Sequence, residues 1–304
     1  MSRYSSSDLS GAPMDTLTVR ASTRVGRRSA ALVAAVAACA AGPLLLVSPG
    51  VAPGAAAATS VAATGDLGRE LVLDLDTAVA GGEGTRVPTA GTSPTTAEVR
   101  TNADAVVRVV RHEGAGRALR LPSFAAGADA TTVPVALVAV TSTGSPDLDP
   151  GASDFVLGAS VRLDATSTGT RVDNGDNVVQ RGTFDAASQM KLQVDGRTPS
   201  CRVKGAEGAV TVFADTRLRA DRWFDLTCRR TGATVTLVRE RVLADGTVAR
   251  RSWSRNGPIG SLSGLAPGVP LTVGGKTDPT GAPLSASADP MNGSIDDVYL
   301  DVLD

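Results

Sequence analysis

The stretch Arg222-Trp223-Phe224-Asp225-Leu226-Thr227-Cys228 decides the fold. Phe224, Leu226 and Cys228 alternate with polar neighbours, and such alternation sends every second side chain to one face of an extended strand. A second cysteine, Cys201, lies upstream in a similar setting. Cys201 and Cys228 are the only cysteines once residues 1–58 are set aside. An oxidising compartment joins such a pair. The bridge closes a loop of roughly 28 residues, which chain-entropy arithmetic values at about 3–4 kcal/mol. Two unpaired buried thiols are the alternative reading.

The same period of two recurs outward from this stretch. It is seen in Leu71, Leu73 and Leu75, in Met190, Leu192 and Val194, in Val210 and Val212, and in Val235 and Leu237. The separators are turn-forming pairs such as Asp195-Gly196, Asp245-Gly246, Asn256-Gly257 and Asn292-Gly293. Beyond residue 58 no segment holds an apolar stripe at helical spacing for three turns. Many short strands with such turns predict an all-β sandwich of two antiparallel sheets. Arg69–Asp76 and Ile295–Asp304 both read as strands, and pairing the first with the last hides two edges. Thr77–Val99, rich in Gly, Thr and Pro, reads as a long surface loop.

Residues 1–58 have a different character. Arg20, Arg24, Arg27 and Arg28 precede an apolar run from Ser29 to Val47, and small residues follow to Ala58. That is the pattern of an export signal peptide. An uncleaved membrane anchor is the alternative, since the run is about long enough to span a bilayer. Arg27-Arg28 is a weak twin-arginine mark, and Val36-Ala37-Ala38-Cys39 a weak lipobox that would acylate Cys39. The whole chain carries −1 and residues 1–58 carry +3, so residues 59–304 carry −4. A mildly acidic remainder lacks the basic footprint of a nucleic-acid or anionic-lipid binder. The expected product is one exported domain, residues 59–304, with no membrane span in its mature form. Arg far outnumbers Lys, and Ala and Gly are abundant, as in GC-rich bacteria.

Seven pieces in order resemble the laminin G-like, concanavalin A-like sandwich domains of exported actinobacterial proteins. They are Ala118–Pro122, Asp154–Arg162, Asn177–Gly182, Lys191–Val194, Trp223–Arg229, Leu271–Lys276 and Gly293–Tyr299. The resemblance covers essentially all of residues 66–304 and implies a jelly-roll of two large antiparallel sheets. It implies function poorly, because this fold hosts lectins, adhesion modules and glycanases. Two departures stand out: Phe224 follows Trp223 where the family usually has His, and the glucanase branch's strand of alternating carboxylates is missing.

Chemistry is sparse. Glu occurs only at positions 70, 83, 98, 113, 207 and 240, none sharing a strand face with a second carboxylate two residues on. Glycan hydrolysis, which needs two flanking carboxylates, is therefore disfavoured. The one histidine, His112, reads as an exposed turn residue. One histidine and two bridged cysteines leave too few ligands for zinc. Asp173-Asn174-Gly175-Asp176-Asn177 is the densest oxygen cluster on an expected turn, so Asp173 and Asp176 are candidate calcium ligands and Asn174 a ligand contact. Plain turn chemistry explains the same residues. Asp296-Asp297 is a second candidate for calcium, and its plain alternative is an outward pair on an antiparallel strand at a bulge. Trp223 reads as core, and Trp253, among polar residues before a turn, as the surface aromatic on which a sugar could stack. The expected function is a secreted, non-catalytic binding or adhesion module for a carbohydrate or an extracellular protein. A structural cell-envelope protein and a glycan-active enzyme are the alternatives.

Overall fold

The computed structural model describes residues 68–303 apart from 103, 113, 115, 126–127, 129–132, 145–146, 165–174, 266–267 and 285–287. The leader, Cys39, Asp173 and Asn174 lie outside the described residues. In chain order the strands are β1 (Leu71–Leu73), β2 (Arg86–Val87), β3 (Thr89–Ala90), β4 (Thr95–Thr101), β5 (Arg108–His112) and β6 (Gly116–Arg120). Next come β7 (Ala136–Ser142), β8 (Asp154–Leu163), β9 (Asp176–Arg181), β10 (Gln189–Asp195), β11 (Thr198–Gly205) and β12 (Gly208–Phe213). The last are β13 (Trp223–Thr231), β14 (Thr234–Val242), β15 (Val248–Asn256), β16 (Leu271–Val273) and β17 (Gly293–Leu303). Among the described residues no helix is long and apolar enough to cross a membrane.

The strands form two antiparallel sheets packed as a jelly-roll sandwich. The nine-stranded sheet runs β15-β14-β13-β8-β17-β1-β3, with β6 beside the start of β17 and β5 beside β6. The eight-stranded sheet runs β12-β11-β10-β9-β16-β7-β4-β2. The inner faces meet in one apolar cluster holding Phe155, Leu157, Phe224, Leu226 and Leu237 from the first sheet, and Val138, Met190, Leu192, Val203 and Val212 from the second. The period of two therefore places its apolar set inside, as expected. The first and last strands pair as expected too: Leu71 lies opposite Leu300, and Leu73, Leu75 and Val298 join the same core.

The Cys201–Cys228 disulfide forms, with Cα atoms 5.3 Å apart. It joins β11 to β13 and so staples one sheet to the other through the core. The Thr77–Val99 loop is a correction. This segment carries β2, β3 and most of β4, and buries Val87, Ala97 and Val99. Gly, Thr and Pro hid a short alternation, Ala97 and Val99 between Thr96, Glu98 and Arg100, which forms β4, and the two-residue β2 and β3 add an edge to each sheet.

Two bulges shape the outer faces. In β17 the register shifts between Asp296 and Tyr299, where Asp297 has φ 47°. Ile295 and Val298 consequently both face the core, with two aspartates between them on the outside. Opposite the β10 step from Leu192 to Gln193, β9 is irregular, so that Val178 and Val179 are both buried. An extra residue in one strand re-aims its neighbours in this way.

Replacing both Cys201 and Cys228 by Ala should keep the fold but lower denaturant stability by about 3–4 kcal/mol. Urea unfolding of the oxidised wild type against the double variant measures this, and an unchanged midpoint would refute the stapling role.

Candidate functional site

Each sheet presents an outer face with its own chemistry. On the nine-stranded sheet, Asp225 of β13, Ser160 of β8 and Asp296 of β17 are lateral neighbours across three adjacent strands. Ser160 Oγ bonds the Asp225 carboxylate and lies 3.0 Å from Asp297 Oδ2. One hydroxyl holds one proton, so the two carboxyls are best satisfied when one of them is protonated. The direction of the shifts agrees. Enclosure by its surroundings pushes Asp225 up, against the Ser160 bond and with the charge of Asp297 adding to it. Burial likewise pushes Asp296 up, opposed by its bond to His112.

His112 corrects the exposed-turn reading. It ends β5, is buried, and places Nδ1 2.7 Å from Asp296 Oδ2. Its ring stacks on Trp223, with centroids 3.9 Å apart. The cause lies in the β5–β6 hairpin. Pairing of β6 with β17 stops at Ile295, and β1 takes over as the partner of β17 from Tyr299. The hairpin end is held by Asp76, whose carboxylate accepts from Arg117 N at 2.6 Å and packs where a Gly116 Cβ would sit. Trp223 is corrected for the same reason. Phe224 takes the core side of β13, so Trp223 is half-buried on the outer side under His112. Around these residues a cavity of about 660 Å³ is lined by Arg162, Arg219, Arg222, Arg241, Asp225 and Asp297 among others. His112, Asp296 and Asp297 bring ligand atoms within 4.8 Å of one another, near enough to share a cation if His112 gave up Asp296.

On the eight-stranded sheet the outer face is a polar platform. The pairing aligns Gln180, Lys191, Arg202 and Thr211 in one row across β9, β10, β11 and β12. Asn177, Gln193, Ser200 and Phe213 form a second row beside it. A groove of about 350 Å³ runs over them. Two phenyl rings stand up at it: Phe184, in the β9–β10 loop, is 67% exposed and Phe213, ending β12, is 56% exposed. Phe184 is held down by Lys204 Nζ donating to its carbonyl at 3.0 Å and by the Arg202 guanidinium 4.7 Å from the ring. Arg202 is itself fixed, with Nε donating to Gln189 Oε1 at 2.9 Å and Nη1 to Thr211 Oγ1 at 3.2 Å.

The groove floor carries uncompensated polarity. Gln180, which lines the groove, is 3% exposed and its Oε1 has no hydrogen-bond partner; Asn177, on the same strand but outside the groove lining, is fully buried and neither amide atom of its side chain has one. Leaving such a group unpaired costs about 1–3 kcal/mol. Lys191 of β10 lies directly opposite Gln180, and burial lowers its pKa to about 8 against the pull of Asp289.

The residues singled out from sequence fall elsewhere. Asp176 is buried at the start of β9 rather than on an open turn, and its Oδ1 accepts from Asn292 N at 2.6 Å. Trp253 is mid-strand in β15, packed partly against the core with Arg239 5.8 Å from its ring, and is not an open stacking surface. Asp296-Asp297 does lie outward at a bulge, but the hairpin buries Asp296.

No family model matches the chain, and no curated protein does. Solved structures are similar at low identity. The binding domain of Paraclostridial Mosquitocidal Protein 1 is 12% identical, with 79% of this chain and 50% of that one covered and a TM-score of 0.49. The botulinum neurotoxin serotype D binding domain is 13% identical, with 78% and 48% covered and a TM-score of 0.45. Domains LG4–5 of the mouse laminin α1 chain are 13% identical, with 53% and 38% covered and a TM-score of 0.37. The chain spans about half the length of the first solved structures it matches.

Two measurements test this geometry. His112→Ala leaves Asp296 buried without its partner and uncovers Trp223, so stability should fall by roughly 2–4 kcal/mol, where an exposed turn histidine would cost nothing. Chemical denaturation at neutral pH reads the difference. Lys191→Met should have the opposite sign. The folded state lowers the pKa of Lys191, so the wild type bears the cost of a buried charge below pH 8 and regains stability as pH rises toward the ordinary lysine value of about 10.4. The variant should melt higher at pH 7, and the gap should close by about pH 10. A gap independent of pH would show that Lys191 titrates normally.

Proposed function

We propose that the chain is an exported, non-catalytic glycan-binding module whose binding surface is the polar platform on β9–β12. One observation carries this reading: two exposed phenyl rings, Phe184 and Phe213, flank a groove floored by side-chain amides and hydroxyls, among them the unpartnered Gln180 Oε1. Sugars need both features, an apolar surface for the C–H face of the ring and convergent donors and acceptors for the hydroxyls. A sheet positions such groups more firmly than loops do, which limits the entropy lost on binding. The disulfide supports the export part of this reading, because such bridges persist mainly under oxidising conditions. The full chain should bind a subset of an immobilised glycan panel. Phe184→Ala and Phe213→Ala should each weaken that binding tenfold or more with the melting temperature kept. Binding that survives both substitutions, or none to any glycan, would overturn the proposal.

Glycan hydrolysis is the second reading, favoured by the Asp225–Asp297 pair in the larger cavity, since hydrolysis requires two close carboxylates. Turnover of a bound glycan that stops in Asp225→Asn would establish it.

A further inference from the structure

Five charged side chains line the platform groove: Lys191, Lys276 and Arg202 against Asp195 and Asp289, one positive charge in excess. The excess can be located. Lys276 Nζ pairs with Asp289 Oδ2, which takes up the one buried carboxylate of the groove. Arg202 donates from Nε to Gln189 and from Nη1 to Thr211, both neutral, so it keeps its charge beside Lys191. Asp195 stands exposed at the end of β10. Lys191 makes no ion pair within 4 Å among the described residues, yet it lies mid-floor. Gln180 and Arg202 are directly opposite it on the two flanking strands. An ammonium so placed pays for desolvation without a counter-ion. The neighbouring Gln180 Oε1 and the Asn177 amide are also unpartnered and buried.

We infer that the platform selects an acidic saccharide: a sugar whose carboxylate seats on the Lys191 ammonium, with its hydroxyls on the Gln180, Gln193 and Ser200 side chains and its apolar face against Phe184 or Phe213. This rests on the platform being the glycan-binding surface. The ligand's charge supplies the counter-ion that the fold withholds. A neutral sugar in the same place leaves Lys191 half-buried and without an ion pair, and selectivity follows from that difference. The groups facing Lys191 from every packed element are Asp289 and Lys276 from the segment between β16 and β17, Arg202 from β11 and Asp195 from its own strand. Burial acts first on Lys191, and it holds its proton only up to about pH 8. The preference for acidic sugars is therefore full at neutral pH and is lost as pH rises through that value, while binding of the neutral form stays level.

The probes are a tetragalacturonate, its carboxyl-reduced neutral counterpart, and a sulfated oligosaccharide, each titrated calorimetrically into the full chain. The uronate should bind at least tenfold more tightly than the reduced form at pH 7, and the preference should shrink to less than threefold by pH 9. Lys191→Met, which removes a buried charge and folds at least as well, should abolish the preference without weakening the neutral sugar. Phe184→Ala should weaken both forms alike. A Lys191-dependent preference shown by the sulfated sugar instead would support the anionic seat and assign its natural occupant as a sulfate ester. Equal affinity for uronate and reduced sugar, unchanged in Lys191→Met but lost in Phe184→Ala, would overturn the acidic-sugar inference and leave the platform standing. Failure of every sugar to bind would overturn both.

Discussion

The structure turns on the closing strand. β17 pairs with β8 over nearly its whole length and, on its other side, with β6 and then β1. It therefore joins the middle of the nine-stranded sheet to the beginning of the described chain. A strand in that position must keep its apolar residues inside, and Ile295, Val298 and Leu300 are all buried. The spacing from Ile295 to Val298 breaks the period of two, and only a bulge reconciles the two demands. The bulge sets Asp296 and Asp297 side by side outside, and it coincides with the point where β6 leaves the sheet and β1 enters. The burial of His112, its stack on Trp223 and the carboxylate bonds of Ser160 are all consequences of that one irregularity.

Both outer faces hold polar groups that cost stability. On one, buried and crowded carboxyls are pushed toward their protonated forms. On the other, a lysine is pushed toward its neutral form and three amide atoms lack partners. The two differ in how far the cost is met. His112 hydrogen-bonds Asp296, and Ser160 links Asp225 with Asp297, so the first face is largely closed upon itself. The platform has no such internal compensation at Lys191 or Gln180. Groups that fold at a cost and stay unsatisfied point outward to a ligand more strongly than groups that satisfy one another.

The fold was legible because alternation and turn residues are local signals. Met190, Leu192 and Val194 announce a strand face without reference to anything distant, and the pair Cys201–Cys228 follows from simple counting. The platform was half legible. The same alternation that sends those three residues to the core places Gln189, Lys191 and Gln193 on the outer face, but nothing in the sequence says that Lys191 lies beside Gln180 and Arg202. Cross-strand register comes from hairpin closure and from the irregularity at Val178, and neither can be counted from one chain. His112 and Trp223 were misread for a related reason. A hairpin that leaves its sheet covers residues on distant strands, and its destination is fixed by a bulge some 180 residues on, as the His112–Asp296 contact shows. Trp253 misled because polar flanks suggest a turn, whereas on an edge strand they are simply the solvent face of β15.

The disulfide ties these two levels together. Cys201 sits in β11 between Ser200 and Arg202, so the residues on either side of it are floor residues of the platform. Its partner Cys228 sits in β13, three residues beyond Asp225 on the other face. A covalent link at this point fixes the spacing of the two sheets directly beneath the groove. Edge strands β11 and β12 would otherwise be the least restrained part of the eight-stranded sheet, since only β12 lies beyond β11. Holding them in register keeps the phenyl rings, the amides and Lys191 at fixed separations before any ligand arrives. Selectivity for a single charged group depends on that rigidity, because a floor free to yield would let Lys191 swing into solvent and recover its hydration without a partner.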